Sequence, residues 1–80
     1  MYIIYGTATC SYCRLAKDLV ESKGMDWLYY DLVTVEPDEQ ERLQKIAGKR
    51  FKTVPQVFFE NADGMQYVGD YTTLKKVLED

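Results

Sequence analysis

The stretch that decides the architecture is Tyr2-Ile3-Ile4-Tyr5-Gly6-Thr7-Ala8-Thr9-Cys10-Ser11-Tyr12-Cys13, continuing through Arg14 to Ser22. Residues 1–5 are β-branched and aromatic and stop at Gly6, the pattern of a short buried strand. Thr7 to Ser11 is a small polar loop. From Tyr12 to Ser22 the apolar residues Leu15, Ala16, Leu19 and Val20 recur at helical spacing, and Gly24 follows as a stop. Asp26-Trp27-Leu28-Tyr29-Tyr30-Asp31-Leu32 then predicts a second strand. A strand–helix–strand unit of about 30 residues is a right-handed crossover that leaves its two strands parallel.

Outward from this unit the remaining elements are shorter. Glu36-Pro37-Asp38 opens a second helix, with proline in the first turn and acids that complement the helix dipole. Leu43, Ile46 and Ala47 form its apolar face, and Gly48 ends it. Val54 to Glu60 predicts a third strand, Asn61-Ala62-Asp63-Gly64 a hairpin turn, and Met65 to Val68 the returning strand. Thr72 or Thr73 is expected to cap a last helix over Leu74 to Leu78. Trp27, Tyr29, Phe58 and Phe59 are expected to pack the sheet against the helices. The predicted order is β-α-β-α-β-β-α within one domain spanning residues 1–80.

Composition bounds the function. The 80 residues are 46% hydrophobic and 14% aromatic, enough for a packed core and too much for a disordered chain. A net charge of −3 argues against nucleic acid as the main partner. No run approaches the roughly 20 apolar residues of a membrane helix, and no basic region followed by an apolar run suggests a secretory signal. A cytoplasmic address is expected, and there a cysteine pair is more often catalytic or metal-binding than structural.

The chemistry lies in Cys10-Ser11-Tyr12-Cys13, at the junction of the first strand and its helix. Residues three apart on a helix start are neighbours, within the reach of a disulfide. The free N–H groups and positive dipole end of that helix start favour a thiolate on Cys10, and Arg14 and Lys17 add positive field. Cys10 is therefore the expected nucleophile and Cys13 the resolving thiol. Competing readings exist. A structural disulfide across four residues stabilises by only about 2 kcal/mol and opens in a reducing compartment. A structural zinc site needs four ligands, whereas this chain has two cysteines and no histidine. The absence of histidine also removes the Cys–His pair of cysteine proteases. A Cys-x-x-Cys that follows a strand and opens a helix is the setting of a redox motif.

With the dithiol in this order of elements, the whole chain resembles the glutaredoxins, small proteins of thioredoxin-like fold. Cys10-Ser11-Tyr12-Cys13 is similar to the family's Cys-Pro-Tyr-Cys, with Ser11 in place of proline. Thr53-Val54-Pro55 is similar to its Thr-Val-Pro, in which the proline is cis and faces the dithiol. Val68-Gly69-Asp70-Tyr71-Thr72-Thr73-Leu74 resembles the stretch that precedes the last helix and binds the γ-glutamyl carboxylate of glutathione. The resemblance implies a four-stranded mixed sheet flanked by three helices. It implies catalytic Cys10 and Cys13, and glutathione contacts at Tyr12, Thr53, Val54, Pro55, Tyr71, Thr72 and Thr73. It implies a monomer with no bound cofactor or metal, glutathione as co-substrate, and oxidised protein disulfides as partners, ribonucleotide reductase among them.

Three departures stand out. Asp70 occupies the place of a usual second glycine, where it either repels a ligand carboxylate or pairs with a ligand ammonium. Thr72-Thr73 replace an acidic pair. Thr7 replaces a lysine that meets the glycyl carboxylate of glutathione, and the nearest cations in sequence are Lys49, Arg50 and Lys52, so Arg50 and Lys52 are candidate carboxylate contacts. These departures leave open reduction by thioredoxin reductase. The loss of the motif proline leaves open a [2Fe–2S] carrier built from two chains and two glutathiones.

Overall fold

A computed structural model describes residues 1–79. Its elements run β1 (Tyr2–Gly6), α1 (Ser11–Ser22), β2 (Trp27–Asp31), a short 3-10 turn (Leu32–Thr34), α2 (Pro37–Ala47), β3 (Gln56–Asn61), β4 (Gly64–Gly69) and α3 (Tyr71–Glu79). The strands form one sheet in the order β2-β1-β3-β4. β1 pairs with β2 in parallel and with β3 antiparallel, and β3 pairs with β4 antiparallel. The mixed sheet flanked by three helices, which the resemblance implied, is what the described residues form.

The sheet is covered on both faces, which explains why β1 is apolar at every position rather than alternating. Tyr2 and Ile4 point toward Ala16, Val20 and Leu74, the layer of α1 and α3. Ile3 and Tyr5 point the other way, toward Leu43 of α2 and the fully buried Phe58. β1 thus carries the loop with the two cysteines from the most buried position in the sheet.

Several local expectations are corrected. The seam of α1 is Cys13, Ala16 and Val20, with Leu19 partly buried, while Leu15 is 44% exposed. Cys13, Ala16 and Val20 are three and four residues apart and form the one face turned to the sheet, which leaves Leu15 beside it toward solvent. β2 stops at Asp31, whose Oδ1 accepts the Val33 N–H and opens the 3-10 turn that removes Leu32 from the strand. β3 begins at Gln56 rather than Val54, since Pro55 has no N–H to give the ladder. The aromatic packing holds as expected: Phe58 is fully buried, and Trp27, Tyr29 and Phe59 are partly buried against the core cluster that includes Ala16, Val20 and Leu74. α3 begins at Tyr71, and its cap is neither Thr72 nor Thr73: the Thr73 N–H donates to Asp70 Oδ1 at 2.9 Å, and the Leu74 N–H donates to the Asp70 carbonyl. No helix of the described residues is long and apolar enough to cross a membrane.

Candidate functional site

Cys10 is the N-cap of α1. Its backbone is extended, and its Sγ accepts the Cys13 N–H at 3.2 Å. The sulfur thus holds the place usually taken by a serine or aspartate oxygen, with an amide donor aimed at it and the positive end of the helix behind. Its thiol also reaches the Val54 carbonyl oxygen at 3.7 Å, a contact across 44 positions of sequence. The Val54–Pro55 peptide bond is cis, as the resemblance implied.

The two cysteines are free and differ in access: Cys10 is half-buried and Cys13 has no exposed surface. Burial pushes the Cys13 thiol up to about 11, and its hydrogen bond with Cys10 adds to the shift. The Thr7 backbone and the Tyr29 hydroxyl oppose it by favouring the ionised sulfur. At neutral pH Cys13 is therefore a thiol.

Two residues outside the dithiol shape its floor. Tyr29 donates its hydroxyl proton to the Thr7 carbonyl at 2.8 Å, fixing the β1–α1 loop to β2. Burial and the proximity of Cys13 raise the Tyr29 phenol to about 12. Gly6 has no room for a side chain: a Cβ there would sit 2.5 Å from the Tyr29 hydroxyl and 2.6 Å from Cys13 Sγ. Sequence reading gave Tyr29 a packing role and Gly6 the end of a strand. A glycine at a strand end marks close approach, but only the parallel pairing of Tyr5 with Tyr30 and Gly6 with Asp31 brings Tyr29 beneath it.

Beside Cys10 lies a cleft of about 160 Å³ lined by Tyr12, Thr53, Val54, Pro55, Asp70, Tyr71 and Thr72. Three segments distant in sequence meet here. Tyr12 and Tyr71 form its aromatic walls, with ring centroids 5.9 Å apart. The predicted residues Tyr12, Thr53, Val54, Pro55, Tyr71 and Thr72 are thus brought together. Thr73 is not part of this lining, because its amide is engaged by Asp70 and its side chain rests against Gly69. Arg50 and Lys52 lie in an adjoining groove with Lys49 and Gln56, which meets the cleft at Thr53. Lys49 is held over the Tyr67 ring, 5.6 Å from its centroid.

Asp70 is settled as a capping residue. Its hydrogen bonds with Thr73 hold the carboxyl below the usual carboxylate range, with a smaller contribution from Lys49. The cap leaves the Tyr71 and Thr72 amides, which have no partners within the helix, at the cleft. Among the described residues no group of three or more histidine, cysteine, aspartate or glutamate side chains is placed to hold a metal ion.

A family model described as glutaredoxin matches residues 2–63. Glutaredoxin 1 of Escherichia coli K12 is 39% identical over 74 residues, covering 88% of this chain and 82% of that protein. The glutaredoxin of Haemophilus influenzae is 40% identical over 63 residues, or 72% of this chain and 71% of that one. Among solved structures, reduced Escherichia coli glutaredoxin aligns with a TM-score of 0.75 at 34% identity, covering 98% of this chain and 92% of that one. A buckwheat glutaredoxin–glutathione complex aligns with a TM-score of 0.70 at 22% identity, covering 94% and 64%.

Proposed function

The chain belongs to the glutaredoxin family and has a general thiol–disulfide oxidoreductase role, and from that premise we propose that it is a glutathione-dependent enzyme working through the Cys10/Cys13 dithiol. The observation that carries this reading is the position of Cys10. Its sulfur accepts a helix-start amide and stands against the Val54 carbonyl, beside a cleft that the first residues of α3, Tyr71 and Thr72, help to line.

The proposed reaction begins with the Cys10 thiolate attacking one sulfur of a substrate disulfide. A Cys10–substrate disulfide forms, the original S–S bond breaks, and the second substrate sulfur leaves as a thiolate that takes up a proton. For a protein disulfide, Cys13 loses its proton and attacks Cys10 Sγ, giving the Cys10–Cys13 disulfide and a fully reduced substrate. For a glutathione mixed disulfide, Cys10 retains the glutathionyl group and a second glutathione resolves it. Two glutathiones reduce the intramolecular disulfide, and one glutathione disulfide is released. The protein substrates are oxidised disulfides, ribonucleotide reductase among the candidates, and the enzyme acts as a monomer.

In this reading the cleft holds glutathione. The cysteinyl unit pairs with the backbone at Val54, where Pro55 blocks the normal ladder, and the γ-glutamyl carboxylate meets the Tyr71 and Thr72 amides at the start of α3. Arg50 and Lys52 attract the glycyl carboxylate from the adjoining groove. The buckwheat protein, which shares this fold, was solved as a glutathione complex, which supports glutathione as the co-substrate. The test is a turnover assay run in parallel with glutathione and glutathione reductase, and with thioredoxin reductase. Fast reduction of a mixed disulfide in the first system and slow reduction in the second is expected. The reverse order would overturn the glutathione assignment.

A further inference from the structure

Cys10 has a second neighbouring hollow that the glutathione reading does not use. It measures about 340 Å³, and Thr7, Cys10, Arg14, Lys17, Trp27 and Tyr29 contribute to its lining. Three elements build it. The β1–α1 loop forms one rim. Cys10, Arg14 and Lys17 come from one face of α1, being four and three residues apart. Trp27 and Tyr29 alternate on β2, so both side chains lie on the face of the sheet that α1 covers.

The chemistry of this wall is specific. The chain as a whole is acidic, yet two cations stand beside the reactive sulfur. The ion pairs of the described residues join Arg42 to Glu39 and Lys45 to Glu41 on α2, and Arg14 and Lys17 take part in neither. Lys17 Nζ is held 5.6 Å from the centroid of the Trp27 ring, so a positive charge lies over an apolar surface. A carboxylate fits the two cations, and an aromatic or apolar side chain fits the indole.

The surroundings favour a polypeptide over a small anion. β2 is the outermost strand, and its far edge has no strand partner among the described residues. An extended chain leaving the hollow therefore has an open backbone edge to follow. The volume is at the low end of the roughly 300–1,000 Å³ range of ligand pockets, suited to a short stretch of side chains.

We propose that this hollow docks the protein substrate, taking an acidic, aromatic-bearing segment that flanks the substrate's disulfide cysteine while the cleft on the other side of Cys10 takes glutathione. The proposal rests on the thiol–disulfide exchange reading above. It makes the two sides of one sulfur selective for different partners.

The experiment compares two peptides of equal length, each closed by one disulfide, in the glutathione-coupled assay. One has aspartate and tyrosine beside the reactive cysteine, and the other has lysine and serine at those positions. The wild-type protein should prefer the acidic peptide by about tenfold in kcat/KM at low salt, with the preference shrinking as salt rises. In Arg14→Gln/Lys17→Gln the ratio should fall to about one. Because the ratio compares two peptides on one protein, any general change at Cys10 divides out. Arg42→Gln/Lys45→Gln, on the opposite face of the sheet, makes the same change in net charge and should keep the preference. Equal turnover of the peptides by wild type, a preference that survives Arg14→Gln/Lys17→Gln, or one lost equally in the α2 variant overturns the docking proposal and leaves the exchange reading standing. Failure to reduce either peptide, with both variants folded, overturns the exchange reading and the proposal with it.

Discussion

At the start of α1 the Cys10 sulfur accepts the amide of the residue three positions on, at 3.2 Å; at the start of α3 the Asp70 carboxylate accepts the equivalent amide, at 2.9 Å. Both helix starts border the same cleft, and Tyr12 and Tyr71, which follow these caps closely, line it with their rings in contact, centroids 5.9 Å apart. The backbone device is the same in both places, and the capping atom decides what it does. A carboxylate, anionic at neutral pH, satisfies the amide and forms no new bond. A sulfur in that position is a polarizable acceptor with a reactive lone pair, and in the proposed reaction the same donors that finish the helix also support a nucleophile. One terminus is thereby closed as structure and the other is left open to chemistry.

The most severe way to break this comparison is Cys10→Asp. A carboxylate should cap α1 as Asp70 caps α3, so the melting temperature should stay within about 8 °C of wild type. Disulfide exchange should fall by on the order of 10³-fold or more. Measured activity above that floor, or a chain that no longer folds by circular dichroism, would show that the two caps are not equivalent. The contrast between the cysteines comes next. In Cys10→Ser the remaining Cys13 should alkylate appreciably only well above the ordinary cysteine range of about 8.5, because burial is the largest cause of its upward shift and survives the substitution. A rate profile like that of free cysteine would contradict the effect of burial on Cys13.

Gly6→Ala sharpens the same point from below. The added methyl meets Tyr29 and Cys13 at once, and overpacking of this kind should cost about 1–3 kcal/mol. The melting temperature should drop by roughly 4–8 °C for each kcal/mol, and an unchanged value would mean that the floor of the dithiol is more yielding than it looks. Smallest is the effect at Asp70. Asp70→Ala should cost about 1 kcal/mol at neutral pH, whereas Asp70→Asn should keep most of the cap. The folded Asp70 pKa is lowered, so its contribution is present above the unfolded value of about 3.9 and disappears as pH falls through the folded value. The gap between wild type and Asp70→Ala should therefore be flat from about pH 5 to 7 and close in strong acid. A gap that widens on acidification would reverse the assigned sign.

The Asp70 result also shows where local signals run out. Asp70, Thr72 and Thr73 are all competent caps within four residues, and capping preference alone does not choose among them. The choice follows from tertiary packing: Leu74 is fully buried against the sheet and Leu78 packs at its margin, and α3 must begin at Tyr71 to place them there. Leu15 fails for a related reason. Its spacing suits an apolar stripe, but the stripe that faces β1 runs through Cys13, Ala16 and Val20.

The sequence by itself determined the alternation of elements, the buried character of β1 and the cysteine pair at a helix start, because each of these rests on periodicity, turn residues and spacing within a few positions. Family motifs extended that to the Thr53-Val54-Pro55 loop and the α3 start. The tertiary structure decided what meets Cys10: the Val54 carbonyl 44 positions away, and the two cations and the indole on its other side. It also decided what lies beneath Cys13, where Tyr29 reaches the Thr7 loop only through the parallel pairing of β1 and β2. Such contacts depend on strand order and helix rotation, and those are set by how all the apolar faces are buried together, which no short stretch of chain contains.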